Sequence, residues 1–270
     1  MASKNEPLWG QAWFLVEIFA LLNLGFLTFD IYLAHSVNQF HRSAEYVPLY
    51  FSAIAPAVLL IALFVRRSSL AAWKDLGYLV AWAAIAVGFG GVILHLDSSF
   101  FYQRTLRSLT YSAPFAAPLA YAGLGCLLLL NRMEDCEKSP WAYWVLFLAL
   151  GGFIGNFIFS VADHAQNGFF DHREWIAVVA SALAVGFLLV PLLMPVTGRF
   201  LALCAGVMIF ESAIGLWGFF LHALSNLHGP SVHAFDNFVN GAPPMAPLLF
   251  PNLAALGLIA IWRLRRAQTG

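Results

Sequence analysis

Two stretches of this chain carry residue types that bind metals and move protons, and they carry them in one order. Residues 35–45 read HSVNQFHRSAE and residues 164–174 read HAQNGFFDHRE. Laid over each other without a gap they match at His35/His164, Asn38/Asn167, Phe40/Phe169 and Glu45/Glu174, at an offset of 129 residues. Imidazole and carboxylate are ligands for Zn, Cu and non-haem Fe. The pattern predicts a transition-metal site with His35, His164, Glu45 and Glu174 as ligands. His95 and His222 are candidate additional ligands. Asp30, Asp97 and Asp163 fall within one or two turns and are expected to orient imidazoles. Glu211 lies inside an apolar run, where a carboxylate is a functional hypothesis by default. It is the candidate for a proton path or an interhelix hydrogen bond. Glu17, two turns from the end of its run, is expected to reach the interface.

Each residue also has a plainer reading. A histidine at a membrane boundary often bonds headgroups or loop carbonyls, since imidazole serves many roles. Glu45 and Glu174 stand at helix starts, where a carboxylate satisfies free N–H groups and the helix dipole. Asn38 and Asn167 read as turn residues. His228 and His233, on a longer polar loop, read as a lid, a ligand pair or solvated surface.

The matching continues beyond these stretches. Residues 45–60 lie over 174–189, and SAPFAAPL at 112–119 over GAPPMAPL at 241–248, all at the same offset. Chance matching of apolar residues is easy in an apolar chain; matching His, Asn and Glu in one register is not. The sequence therefore reads as an internal duplication.

The elements that position these residues follow from composition. The chain has 270 residues, 61% hydrophobic and 10% charged, with mean hydropathy +0.76. Soluble domains carry about 25% charged residues, so this chain is expected to lie in a lipid bilayer. Eight runs have the roughly 20 apolar residues a spanning helix needs: 9–34, 46–65, 76–94, 111–130, 141–162, 175–194, 200–221 and 242–262. The expected fold is all-α, with eight transmembrane helices in two four-helix repeats, 1–134 and 135–270, related by a pseudo-twofold along the membrane normal. Alternating strand patterning is absent. The polar linker NRMEDCEKSP at 131–140 marks the boundary. The N-terminus reads as a short tail before a retained helix.

Ten Lys and Arg fall on the side of both termini (Lys4, Arg66, Arg67, Lys74, Arg132, Lys138, Arg199, Arg263, Arg265, Arg266) and four on the other (Arg42, Arg104, Arg107, Arg173). That asymmetry places both termini in the cytoplasm, with a bacterial-type inner membrane as the expected location. All eight histidines then fall on the non-cytoplasmic side. Pro114, Pro118, Pro243, Pro244 and Pro247 cluster there too, either opening a cleft or simply starting helices.

Several classes are excluded. The formal net charge is zero and no basic tract is present, so nucleic acid is not an expected partner. Cys126, Cys136 and Cys204 show no metal or disulfide spacing. The glycines at 88–91 and 151–152 permit close helix contact but form no phosphate loop. The ligand types resemble the carboxylate-and-histidine cages of helix bundles, but the Glu-x-x-His spacing is missing, so no family is implied. The leading expectation is a metal-dependent oxidoreductase, with Cu, Fe or Zn, acting on a lipid-soluble or periplasmic substrate. Its alternatives are a haem-b or quinone electron-transfer subunit, a metal or small-solute transporter, and an accessory subunit packed against other membrane proteins.

Overall fold

Backbone groups withdrawn from water must bond within their own segment, which favours helix wherever the chain is apolar enough to enter lipid. The computed structural model describes residues 8–110 and 113–269, and no strand occurs among them. The α-helices are α1 (Ala12–Ser36), α2 (Tyr46–Val65), α3 (Leu70–Leu96), the short α4 (Phe100–Gln103) and α5 (Leu106–Thr110), then α6 (Leu119–Met133), α7 (Ser139–Gln166), α8 (Glu174–Leu193), α9 (Gly198–Leu227), the short α10 (Ala234–Asn240) and α11 (Leu249–Thr269).

Seven of the described helices are long and apolar enough to cross a membrane, and α6 is apolar but only 15 residues long. The expected span at 111–130 is thus cut short. Its first residue, Tyr111, lies outside the described residues. Pro114 starts a turn, its carbonyl accepting from Ala117 N–H, and Pro118 takes the N-cap of α6. In the second half Pro243, Pro244 and Pro247 likewise delay α11 to Leu249, seven residues past the expected start. Proline lacks an N–H and suits the beginning of a helix. The proline clusters therefore act as helix starts. By contrast α3 and α9 begin early, because Ser69 and Thr197 accept the N–H of Ala72 and Phe200.

Within each half the chain folds back on its neighbour: α1 packs on α2 and α3 on α6, then α7 on α8 and α9 on α11. Glycines permit close approaches between the helices, two of them in corresponding places on α3 and α9. A Cβ on Gly88 would stand 2.7 Å from the Ala122 backbone nitrogen, and one on Gly215 would stand 2.4 Å from Pro251 Cδ. Only a hydrogen there lets these backbones meet. The halves join where α1 touches α11 and α6 touches α7. One core gathers Trp141, Leu146, Phe153, Leu188, Met208 and Ile261 with Ala12, Val16 and Leu127 from the first half; a second gathers Leu24, Leu59, Tyr121 and Leu128. Large apolar side chains such as Phe29, Phe64, Leu79, Val179 and Ile209 point outward. An apolar exterior on this scale is what a lipid solvent accepts.

Candidate functional site

Helix α1 ends in a left-handed turn that fixes the first histidine. Gln39 N–H donates to the Ser36 carbonyl and Phe40 N–H to the His35 carbonyl, each at 3.2 Å. Gln39 and Phe40 have φ of 56° and 53°. This is the Schellman pattern, which satisfies the last carbonyls of a helix. Helix α7 ends the same way. Gly168 N–H donates to Ala165 and Phe169 N–H to His164, at 3.2 and 3.0 Å, with φ of 73° and 53°. In both turns the phenylalanine ring faces the histidine. Phe40 lies 5.8 Å from the His35 ring and stacks on Tyr46; Phe169 lies 6.0 Å from His164 and stacks on Trp175.

The asparagine of each turn reaches the glutamate that begins the next helix. Asn38 Nδ2 donates to Glu45 Oε1 at 2.9 Å, and Asn167 Nδ2 to Glu174 Oε1 at 3.2 Å. The remaining oxygen of each glutamate faces an imidazole: Glu45 Oε2 is 3.7 Å from His35 Nδ1, and Glu174 Oε2 is 3.4 Å from His164 Nδ1. Both Oε2 atoms are buried and have no hydrogen-bond partner. Glu45 makes no capping bond to α2, so bonding to the free N–H groups of the helix start does not account for its side chain.

His95 and His222 complete the two clusters. A carbonyl only accepts, so His95 Nδ1–H donates to the Pro114 carbonyl at 2.9 Å and His222 Nδ1–H to Pro243 at 2.8 Å. Nε2 of each ring is then left for a second partner. The His35 and His95 rings are 6.2 Å apart, and His222 lies near His164. Each half thus collects two imidazoles and one carboxylate. His35 and His164 are each paired with the glutamate of their own half, and no described contact joins His35 to His164. Among the described residues no group of three or more His, Cys, Asp or Glu stands close enough to hold a metal as the side chains lie.

The aspartates expected to orient imidazoles have other surroundings. Asp97 meets Arg42 at 3.9 Å and accepts from the Tyr102 hydroxyl. Asp30 is near Tyr121, whose hydroxyl bonds Ser52. Asp163 has no hydrogen bond or ion pair among the described residues. His172, His228 and His233 are exposed. His228 bonds the Leu224 carbonyl of its own helix. Beside His172, hydrogen bonds from Arg173 hold Asp171 well below the usual carboxylate range.

Glu17 does not reach the interface. It is fully buried and gripped by Arg132, with Nη1 on Oε2 and Nη2 on Oε1 at 2.6 Å each. Asn131 donates to the same carboxylate, and the Arg132 guanidinium lies over the Trp73 ring. Arg132, counted with the surface charges in the sequence, is buried as well. The clue was available: at the 129-residue offset both partners become apolar together, as Leu146 and Ile261. Across the halves, the Asn252 amide bonds the Asn23 side chain. Glu211 is fully buried, and neither carboxylate oxygen has a partner.

Fold and exterior together define an all-helical membrane protein. No family model matches the chain, and none of the curated proteins or solved structures compared with it is similar.

Proposed function

We propose that this is a membrane metalloprotein built from two four-helix repeats, holding one divalent transition-metal ion in each half at the non-cytoplasmic boundary. His35, Glu45 and His95 are the ligands in the first half, and His164, Glu174 and His222 in the second. One observation carries the reading. In both halves a buried, unpartnered glutamate oxygen faces an imidazole Nδ1 at 3.7 and 3.4 Å. That gap exceeds a good hydrogen bond. Two donors bonded at about 2.1 Å to one tetrahedral ion stand roughly 3.4 Å apart, so the gap suits a shared ion. Asn38 and Asn167 hold the other oxygen of each carboxylate, the outer support that metal ligands commonly have. His95 and His222, tethered through Nδ1, offer Nε2 as the third donor.

Two histidines with one carboxylate suit Zn and non-haem Fe(II). Bound iron would supply the redox chemistry of an oxidoreductase acting on a lipid-soluble or periplasmic substrate. Support for the repeat is that helix ends, turn dihedrals and side-chain pairs recur in the two halves. Counting α6 as a short eighth crossing puts both termini on one side, and the excess of Lys and Arg there favours the cytoplasm.

Elemental analysis of purified full-length protein after metal loading tests the proposal. About two ions per chain are expected, one lost with His35→Ala and the other with His164→Ala. Folded protein that stays metal-free with Zn, Fe(II) and Cu(II) overturns it. A Soret band from the purified protein would mean haem b instead.

A further inference from the structure

The two intramembrane glutamates sit in opposite electrostatic settings. Glu17 is closed off from solvent but has Arg132 within 2.6 Å. Glu211 is equally closed off, about 20 Å along the axis of α9 from Gly198, and both its oxygens lack a partner. It lies on the face of α9 that carries Met208 and Gly215, and α11 covers that face: Met208 meets Gly257, and Gly215 meets Phe250 and Pro251. Among the described residues no neighbouring helix brings a cation to it. Residues 175–193 of α8, 249–262 of α11 and 141–162 of α7 carry no charged side chain. The nearest along these helices are Arg199 on α9 and Arg263 on α11 toward one end, Arg263 already paired with Glu137. Toward the other lie His222 on α9 itself, and Asp163, His164 and Glu174.

We propose that Glu211 is a proton-exchanging carboxylic acid in the middle of the membrane, neutral at rest. An isolated carboxylate in an apolar interior is strongly disfavoured, and the group neutralises by taking a proton. Packing alone does not ask for it. The stripe Glu211–Gly215–Gly218–His222 on α9 has its counterpart in contacts, 127 residues back and so two residues out of the 129-residue register, in Ala84–Gly88–Gly91–His95 on α3: Gly88 and Gly91 meet Pro118 as Gly215 and Gly218 meet Pro247, and the buried methyl group of Ala84 occupies the glutamate's place. An intramembrane acid is a functional-site hypothesis by default, and proton relays are among the uses of such acids. His222 lies on the same helix face three turns away, about 16 Å along the axis. Glu211 thus aligns with one candidate metal centre, although the acid's state does not depend on that centre binding metal.

Infrared spectra of the full-length protein, recorded in H2O and D2O at about neutral pH, test this by subtracting Glu211→Gln from wild type. The expected difference is a protonated-carboxyl C=O band that disappears in the variant and shifts down in D2O. Loss of ionised-carboxylate bands instead, or a carboxyl band that does not shift in D2O, overturns the proposal. Labelling of the unsubstituted chain with dicyclohexylcarbodiimide gives a second readout. The acid O–H adds across one C=N bond, hydrogen to nitrogen and oxygen to carbon, and acyl migration leaves an N-acylurea heavier by the whole reagent. An adduct on Glu211 and none on Glu17 is expected; an adduct on Glu17 with none on Glu211 overturns the assignment.

Discussion

Glu17 and Arg132 are 115 positions apart in the chain, yet their side chains form two parallel hydrogen bonds in a site closed to solvent. Removing one member leaves the other as an uncompensated buried charge. Glu17→Ala or Arg132→Ala is therefore expected to cost about 3–5 kcal/mol, measured by unfolding in mixed micelles. The other half supplies the repair. Leu146 and Ile261 are buried at the offset-related positions, so Glu17→Leu combined with Arg132→Ile is expected to recover most of the loss. A double variant as unstable as either single one would mean that the charges do more than fill space. The pair was hard to read from sequence because Arg132 ends an apolar run and counts there as a surface charge. Burial of a charge depends on which helix lies across it.

At the level of elements, the turns after α1 and α7 are the same device with a telling difference. Gly168 occupies the left-handed position after α7, whereas Gln39 occupies it after α1. Glycine adopts positive φ without a Cβ clash. Gln39→Gly is thus expected to stabilise the protein by about 1 kcal/mol, and Gly168→Gln to destabilise it by a similar amount. Opposite shifts in thermal midpoint would bear this out; shifts of one sign would refute the shared geometry. The sequence identified these turns through His, Asn, Phe and Glu. It did not reveal that the asparagine amide holds the glutamate, because turn chemistry gives a residue's backbone role and not where its side chain ends. The proline-rich starts of α6 and α11 were legible as helix starts but not in position, and the helices begin several residues later than the apolar runs suggest.

At the scale of the whole molecule, the question is whether α6 crosses the membrane. Its 15 residues rise about 22 Å, short of a hydrocarbon core of about 30 Å. Its buried Tyr121, Leu124, Leu127 and Leu128 nonetheless pack it into both cores. If it crosses, reporters fused to the two termini will respond on the same side, and the excess of Lys and Arg predicts the cytoplasmic one. Reporters on opposite sides would leave seven crossings and break the parallel between the halves. The shared core, with Ala12, Val16 and Leu127 among residues of the second half, means that the halves are packed as one body.

Composition alone fixed the solvent: a chain this apolar and this poorly charged has to be helical and in lipid, because lipid offers the backbone no partners. The repeated His, Asn, Phe and Glu marked where the polar chemistry lies, since polar residues recurring in register inside an apolar chain are not explained by hydropathy. Tertiary packing decided the rest. It put the His35 and His164 imidazoles beside the glutamates of their own halves, it gave Glu17 a guanidinium, and it left Glu211 with none. Such pairings depend on contacts between helices far apart in the chain, and no local pattern of residues encodes them.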